Sequence, residues 1–250
     1  MKILVWDIEI AHSYNEAYQK RMYTGWIDRG VRMSADVSFI THFGFKWKGE
    51  KRAYCKSLHE FPEFKNSIHD DRPLIKWASD ILQEADHLVA HYGDKFDRKY
   101  MNAKLLHENL PPLSPVIKQS DTCSLAKSHL KMSSNRLDNI AEYLGVPMKR
   151  KKEWPLDWLK MTKGDLAAYK RVKHYCIGDV ITLEQVYDKL IPFDSKQPSH
   201  SLEQQKRCCP ACGSEHVNIH SYRATKTGTK KRFQCQDCAS IRDESKVVLH

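Results

Sequence analysis

An apolar run near the start of the chain ends in two acidic residues. Ile3-Leu4-Val5-Trp6 predicts a buried strand, and Asp7 and Glu9 follow at its carboxyl end. Residues two apart on a strand point to the same face, so both carboxylates would lie on one side of an apolar strand. Two such carboxylates repel each other, and removing them from water is costly unless divalent cations lie between them. The alternative is that the strand ends at Trp6 and that both acids are solvated.

Strands and helices alternate over the first 193 residues. After residues 3–6, the apolar patterns predict strands at 37–45, 52–55 and 87–91, and a further strand that begins at 116–117. They predict helices over 73–85, 97–108, 137–144 and 165–190. Strands followed by interleaved helices and strands indicate an α/β fold, in which helices flank a mixed sheet.

A polar stretch separates this domain from a smaller module. Residues 194–204 are poor in apolar side chains and predict a linker. We therefore divide the chain into a domain of residues 1–193, a module of residues 205–240 and a tail of residues 241–250.

The charge balance indicates a polyanionic partner. Lys and Arg number 41 against 31 Asp and Glu, which gives a net charge of +10 at pH 7. Basic surfaces bind nucleic acid because contacts to phosphates release condensed counterions. No apolar run approaches the roughly 18 residues that span a bilayer. The first residues also lack the features of a secretory signal, so we expect a cytoplasmic protein that binds nucleic acid and no membrane.

Two further acids stand in predicted turn and helix segments. Asp97 lies where a helix begins after the strand 87–91, and Asp94 could cap that helix in its place. Asp179 lies within the last long helix, and Tyr175, four residues earlier, shares its face. His174 stands five residues before Asp179. Taken singly, Asp97 could be an ordinary helix cap and Asp179 an ordinary exposed acid.

Five of the eight cysteines fall between residues 208 and 238, whereas Cys55, Cys123 and Cys176 are scattered and predicted to be reduced, buried or inert. Two CxxC pairs provide four thiolates that favour one structural Zn²⁺ over disulfides. The intervening segments 217–220 and 232–234 predict a hairpin, so the module is interpreted as a zinc ribbon. The predicted ligands are Cys209, Cys212, Cys235 and Cys238, with Cys208 spare and with His216 or His220 as substitutes only in a less regular site.

Basic residues lie within the predicted hairpin. Nucleic-acid binding by the ribbon is one hypothesis, and a protein partner is the alternative. The candidate contacts are Arg223, Lys226, Lys230, Lys231 and Arg232. Aromatic residues between 10 and 35, and a basic run at 149–152 beside Trp154, are further candidate contacts for a single strand.

Together, the acidic segments resemble the three motifs of the DEDD exonuclease superfamily, whose fold is ribonuclease H-like. They are most similar to the proofreading domains of family B polymerases and their stand-alone relatives. Trp6-Asp7-Ile8-Glu9 resembles the first motif, His91 to Asp97 the second, and Tyr175-Cys176-Ile177-Gly178-Asp179 the third in its tyrosine form. Residues 121–146 also resemble the region between the second and third motifs. The second motif departs from the pattern, because Tyr92 stands where such enzymes often have Asn.

The resemblance implies a metal-dependent 3′–5′ exonuclease that hydrolyses single-stranded nucleic acid, with DNA favoured over RNA. It implies two Mg²⁺ or Mn²⁺ ions held by Asp7, Glu9, Asp97 and Asp179, and a Tyr175 that orients the attacking water. His174 would take that role in the histidine subclass. Two other hypotheses remain, namely an RNA-processing exoribonuclease and a non-catalytic adaptor that binds nucleic acid through the nuclease fold and the ribbon.

Overall fold

A computed structural model describes residues 1–12, 38–147, 156–196, 208–226 and 228–243. The aromatic residues predicted to contact a strand, which are Tyr14, Tyr18, Tyr23 and Trp26, all lie outside the described residues. The basic run at 149–152 and Trp154 also lie outside them.

The first domain contains a five-stranded mixed sheet. Its strands are β1 (Ile3–His12), β2 (Ser38–Trp47), β3 (Tyr54–Ser57), β4 (His87–Ala90) and β5 (Lys118–Asp121). They are arranged in the order β3-β2-β1-β4-β5, with antiparallel pairing from β3 to β1 and parallel pairing from β1 to β5. This topology confirms the predicted α/β fold with a mixed sheet.

Six helices of the described residues pack around the sheet or connect its strands. They are α1 (Arg72–Gln83), α2 (Asp97–His107), α3 (Thr122–His129), α4 (Leu137–Tyr143), α5 (Leu156–Met161) and α6 (Leu166–Leu190). Short 3₁₀ turns occupy Leu58–Glu60, Pro62–Lys65 and Ile191–Phe193. The sequence analysis did not predict α3 and α5, because neither is long enough to show a clear apolar repeat.

The two faces of β1 enter different cores. Leu4, Trp6 and Ile8 belong to a core that includes buried residues of α1. Ile3 and Val5 belong to a second core that includes buried residues of α6. Because side chains alternate along a strand, Asp7 and Glu9 continue the face that carries Ile3 and Val5.

β1 continues past both acids, so the alternative that the strand ends at Trp6 is wrong. Its antiparallel pairing with β2 extends to His12, whereas its parallel pairing with β4 ends at Val5. Asp7 and Glu9 therefore lie on the stretch of β1 that, among the described strands, pairs with β2 alone.

α6 approaches the sheet closely at Gly44 of β2. Gly44 is paired with Asp7 in the antiparallel ladder. A Cβ added at Gly44 would lie 2.5 Å from the Cys176 Sγ and 3.1 Å from a methyl carbon of Val180. Real Cβ atoms do not approach that closely, so only glycine permits this contact.

Polar contacts on either side of Gly44 fix the rest of α6 against β2. The His42 Nε2 donates to the Tyr169 carbonyl at 2.9 Å, and burial lowers the pKa of His42 to about 3, which keeps the ring neutral. Lys46 and Glu184 form a buried ion pair. Positions 42, 44 and 46 share one face of β2, so three successive residues of that face hold the helix.

A second, three-stranded sheet forms the C-terminal module. It comprises β6 (Val217–Thr225), β7 (Gly228–Cys235) and β8 (Ile241–Asp243), and β6 and β7 form the predicted hairpin. β8 lies in the segment interpreted as a tail, so the sheet extends beyond Ser240. Arg242 ties it to the first domain by donating to the carbonyls of Pro192 at 3.1 Å and Asp194 at 2.9 Å. Among the described helices, none combines the length and the apolar character needed to cross a membrane.

The glycine contact predicts opposite effects for two substitutions to alanine. Gly44→Ala should lower the free energy of unfolding by about 1–3 kcal/mol, because the new methyl group overpacks the interface with Cys176. Gly178→Ala is the matched control: it lies in α6 with no atom within 4 Å of an added Cβ, and should raise stability by up to about 1 kcal/mol. Urea unfolding measures both. A Gly44→Ala protein as stable as the wild type would contradict the close contact.

Candidate active site

Two strand residues and one helix residue bring their ligand atoms together. The carboxylates of Asp7 and Glu9 and the thiol of Cys176 all lie within 4.8 Å of one another. Asp7 and Glu9 meet because they are two apart on β1, and Cys176 reaches them because α6 is pressed against Gly44. Atoms at this spacing could hold a metal ion.

Asp97 adds a buried carboxyl from a third segment of the chain. It begins α2, is 4% exposed, and accepts a hydrogen bond from the backbone N–H of Ile8, between Asp7 and Glu9. Burial, together with the negative charge of Asp121, raises the pKa of Asp97 to about 7. A buried carboxylate without a cation is costly to charge, so this residue fits a site that is completed by metal ions.

The loop before Asp97 is held by Asp94 and Asp121. Asp94 is no helix cap, because its carboxylate accepts from the Gln119 Nε2 at 2.8 Å and from the Lys196 Nζ at 3.0 Å. Asp121 accepts from the backbone N–H groups of Tyr92 at 3.0 Å and Asp94 at 3.1 Å, and it also caps α3. These contacts tie the loop to β5 and leave Asp97 directed at β1. This role of Asp121 was not predicted from the sequence. Its only local signal is that it stands just before a helix, which indicates a cap.

The third acidic segment lies on α6. Asp179 is one helical turn after Cys176, so both residues share the face that approaches β1. Asp97 and Asp179 fall outside the 4.8 Å group found among the described residues. Two catalytic cations lie about 4 Å apart, so the ligands of such a pair extend over a wider span than one compact group.

The two candidates for orienting water differ in their surroundings. Tyr175 is half-buried and packs edge-to-face on Trp158, with ring centroids 6.3 Å apart. His174 is exposed. Only Tyr175 shares a helical face with Asp179, and its packing restricts the directions its hydroxyl can take. This geometry favours Tyr175 as the orienting residue.

Cys176 lies beside Asp7 and Glu9, a position that was not predicted from the sequence. It is buried and free of disulfides, as expected, but its thiol lies beside two candidate ligands. A hydrogen bond with Cys55, burial and the charges of Asp7 and Glu9 raise the pKa of Cys176 well above its usual value. The thiol is therefore protonated at neutral pH, and the carboxylate oxygens are the ligands suited to Mg²⁺. Its place one turn before Asp179 is the signal that could have identified it.

The predicted zinc ligands converge in the C-terminal module. The Sγ atoms of Cys209 and Cys238 are 3.7 Å apart, and those of Cys212 and Cys235 are 3.6 Å apart. A tetrahedral site with Zn–S bonds of about 2.3 Å has sulfur atoms about 3.8 Å apart. The four thiols therefore fit zinc binding. Cys208 is buried and lies outside the group that the described cysteines form.

The five basic candidates of the module lie on the hairpin or at its tip. Arg223, Lys226 and Lys230 are exposed, and Lys231 and Arg232 are half-buried. Strand pairing places Lys230 opposite Arg223, whose guanidinium also lies 3.2 Å from the Asp243 carboxylate. The hairpin thus gathers positive charge on a small surface.

The mixed sheet, with acids on its central strand and on the helices beside it, defines a ribonuclease H-like class of protein. A family model described as the RNase_H superfamily matches residues 31–191, more than half of the chain. The chain therefore belongs to the RNase H superfamily, and this membership supports nuclease activity at the level of the superfamily.

Solved structures include a similar fold. The family B DNA polymerase from the hyperthermophilic archaeon Pyrobaculum calidifontis is similar with a TM-score of 0.53 and 16% sequence identity. The similarity covers 90% of this chain but only 31% of that polymerase chain, and at this identity it concerns the fold. No curated protein matches the chain in sequence.

The sulfur geometry predicts one zinc ion per chain that depends on four of the five clustered cysteines. Cys212→Ser, at the exposed ligand, should lose its zinc to a moderate chelator that leaves the wild-type ion in place. Cys208→Ala is the matched control and should retain zinc. Atomic absorption after dialysis measures both. Retention by Cys212→Ser, or equal loss from Cys208→Ala, would contradict the proposed ligand set.

Proposed function

We propose that the protein is a metal-dependent 3′–5′ exonuclease that hydrolyses phosphodiester bonds at the end of a single strand, with DNA favoured over RNA. The observation that carries the proposal is the convergence of three chain segments beside the Asp7–Glu9 stretch of β1. Asp7 and Glu9 come from the strand itself, Asp97 accepts from the Ile8 amide, and α6 contributes Cys176, which stands one helical turn before Asp179.

Asp7, Glu9, Asp97 and Asp179 would hold two Mg²⁺ or Mn²⁺ ions. When bound, two such ions activate a water molecule and stabilise the pentavalent phosphorus centre and the leaving oxygen. The proposal is supported by the donor set, because carboxylate oxygens suit both ions, and by the cost of leaving Asp97 charged without a cation.

Tyr175 would orient the attacking water rather than remove its proton. A phenol with a pKa near 10 is a weak base at neutral pH. The hydroxyl is held by a ring packed on Trp158 and lies on the face of α6 that carries Asp179. Fixed geometry of this kind contributes to rate because misplacement by about 1 Å costs about a hundredfold.

The zinc ribbon would support the strand that enters the site. A closed four-sulfur site has no open position, so the zinc ion would be structural. The exposed Arg223, Lys226 and Lys230, with Lys231 and Arg232, would contact phosphates. A protein partner for the ribbon is the other outcome of tests on these residues.

Single-strand degradation tests the proposal directly. The wild type, incubated with Mg²⁺ or Mn²⁺, should shorten a 5′-end-labelled strand one nucleotide at a time and release label early from a 3′-end-labelled strand. Asp7→Asn and Asp179→Asn should lower kcat by about a hundredfold or more, because charge stabilisation at the transition state is lost. Tyr175→Phe should lower kcat by about ten- to a hundredfold, whereas His174→Ala should leave it unchanged.

Matched DNA and RNA strands in the same assay decide between the favoured substrate and an exoribonuclease. If neither the DNA nor the RNA strand shortens, the proposal of an enzyme fails and the non-catalytic adaptor remains. Loss of activity in His174→Ala but not in Tyr175→Phe would reverse the assignment of the orienting residue.

A further inference from the structure

An open cleft lies beside the loop that leads to Asp97. Its volume is about 430 Å³, and its lining includes Tyr92, Lys127, Arg136 and Leu137. Tyr92 follows β4 directly, Lys127 lies on α3, and the other two stand where α4 begins. The cleft thus opens at the carboxyl ends of parallel strands, where open α/β sheets bind their ligands.

Tyr92 stands in an unfavourable backbone conformation. Its φ is 63°, in the left-handed region that non-glycine residues seldom occupy, and its side chain is 46% exposed. An exposed tyrosine at such a position gains no core packing that would offset the strain. The backbone is held by the hydrogen bond from the Tyr92 N–H to Asp121. A ring kept on the surface at this cost indicates a role in binding.

The loop connects Tyr92 to the acidic site. A Cβ added at the next residue, Gly93, would lie 3.6 Å from a carboxylate oxygen of Asp97. The Gly93 backbone beside Tyr92 is therefore close to the carboxyl proposed to bind metal. A nucleotide seated on Tyr92 would be close to the nucleotide whose phosphate is cleaved.

Two cations line the cleft together with the Tyr92 ring. The Lys127 Nζ lies 5.2 Å from the centre of the Tyr92 ring, and the Arg136 Nε lies 3.5 Å from the Asp138 carboxylate. Both basic residues are exposed, so their charges can reach a phosphate. An aromatic face beside exposed cations is the combination that binds single strands, since bases stack on the ring and phosphates meet the charges.

The far wall of the cleft is fixed by His91. Its Nε2 donates to the Asn135 carbonyl at 3.0 Å, and its Nδ1 lies 2.9 Å from the Thr122 hydroxyl. Burial lowers the pKa of His91, which favours the neutral ring that makes both contacts. The segment that carries Arg136 is therefore anchored to the end of β4, and the cleft is formed before a ligand arrives.

We propose that this cleft is a nucleotide subsite, in which Tyr92 stacks on one base near the 3′ end of a single strand and Lys127 and Arg136 contact the adjoining phosphates. The inference rests on the proposed function, since it deepens the same site. It assigns Tyr92 to substrate binding. The Asn that is common at this position of the second motif has no ring and could not stack on a base.

Binding of an uncleavable strand tests the subsite independently of activity. A fluorescent DNA strand with phosphorothioate linkages at its 3′ end is titrated with the zinc-loaded protein, without added Mg²⁺ or Mn²⁺, and anisotropy gives Kd. A set of strands is compared, each of which lacks the base at a different one of the last nucleotides. Loss of one particular base should weaken wild-type binding about five- to a hundredfold. Tyr92→Ala should bind all these strands equally, and Tyr92→Phe should retain the wild-type profile.

Two variants distinguish stacking from a structural role. Asn tolerates the left-handed backbone, so Tyr92→Asn should raise thermal stability and weaken strand binding. If Tyr92 had only a structural role, its loss would lower both thermal stability and strand binding. Tyr54→Ala is the matched control, because Tyr54 is 42% exposed on β3 at the far edge of the sheet, and it should leave the abasic profile unchanged. Lys127→Gln and Arg136→Gln should each reduce the slope of log Kd against log salt concentration by about 0.7.

Failure of this proposal differs from failure of the proposed function. If the wild type shortens strands but Tyr92→Ala keeps the wild-type Kd and abasic profile, the subsite is wrong and the exonuclease stands. If the wild type neither binds nor shortens a strand, both fail. A Tyr92→Asn protein that binds as tightly as the wild type would also overturn stacking by Tyr92.

Discussion

The contact between α6 and β2 at Gly44 is the constraint on which the candidate site depends. Gly44 pairs with Asp7 across the ladder, and its missing side chain admits the Cys176 turn of α6. That turn carries the thiol to Asp7 and Glu9, and Asp179 stands one helical turn further along α6. A larger residue at position 44 would push the helix outward and separate the third acidic segment from the first. The buried contacts of His42 and Lys46 on the same face of β2 hold α6 at this distance along its length.

Much of the fold follows from local patterns in the sequence. Apolar runs predicted β1, β2 and β4, and periodicity predicted α1, α2, α4 and α6 to within a few residues. The length of β1 could not be predicted, because Asp7 and Glu9 interrupt the apolar pattern and the strand continues through pairing with β2. The short helices α3 and α5 carry too few periodic positions to be visible. β8 forms because it pairs with β7, a contact that its own composition does not indicate.

The acids of the candidate site were accessible from the sequence, but what positions them was not. Asp7, Glu9, Asp97 and Asp179 stand in recognisable motifs. Gly44 and Asp121 act through tertiary contacts with segments distant in the chain, and the sequence around each residue does not indicate those contacts. Cys176 appeared inert because burial alone predicts an unreactive thiol, whereas its proximity to Asp7 depends on how α6 packs. The strained backbone at Tyr92 could not be predicted from the sequence, because a tyrosine gives no sign of a positive φ.

Counting bound Mn²⁺ tests whether the four carboxylates hold two divalent cations. The zinc-loaded protein is titrated with Mn²⁺ in the presence of an uncleavable phosphorothioate strand, and electron paramagnetic resonance counts the bound ions. The account predicts two ions per chain at pH 8 and a loss of at least one in Asp97→Asn. Because burial raises the pKa of Asp97 to about 7, a proton competes with metal below that value, and wild-type affinity should fall as the pH decreases through it. Fewer than two ions in the wild type, or binding unchanged in Asp97→Asn, would contradict the account.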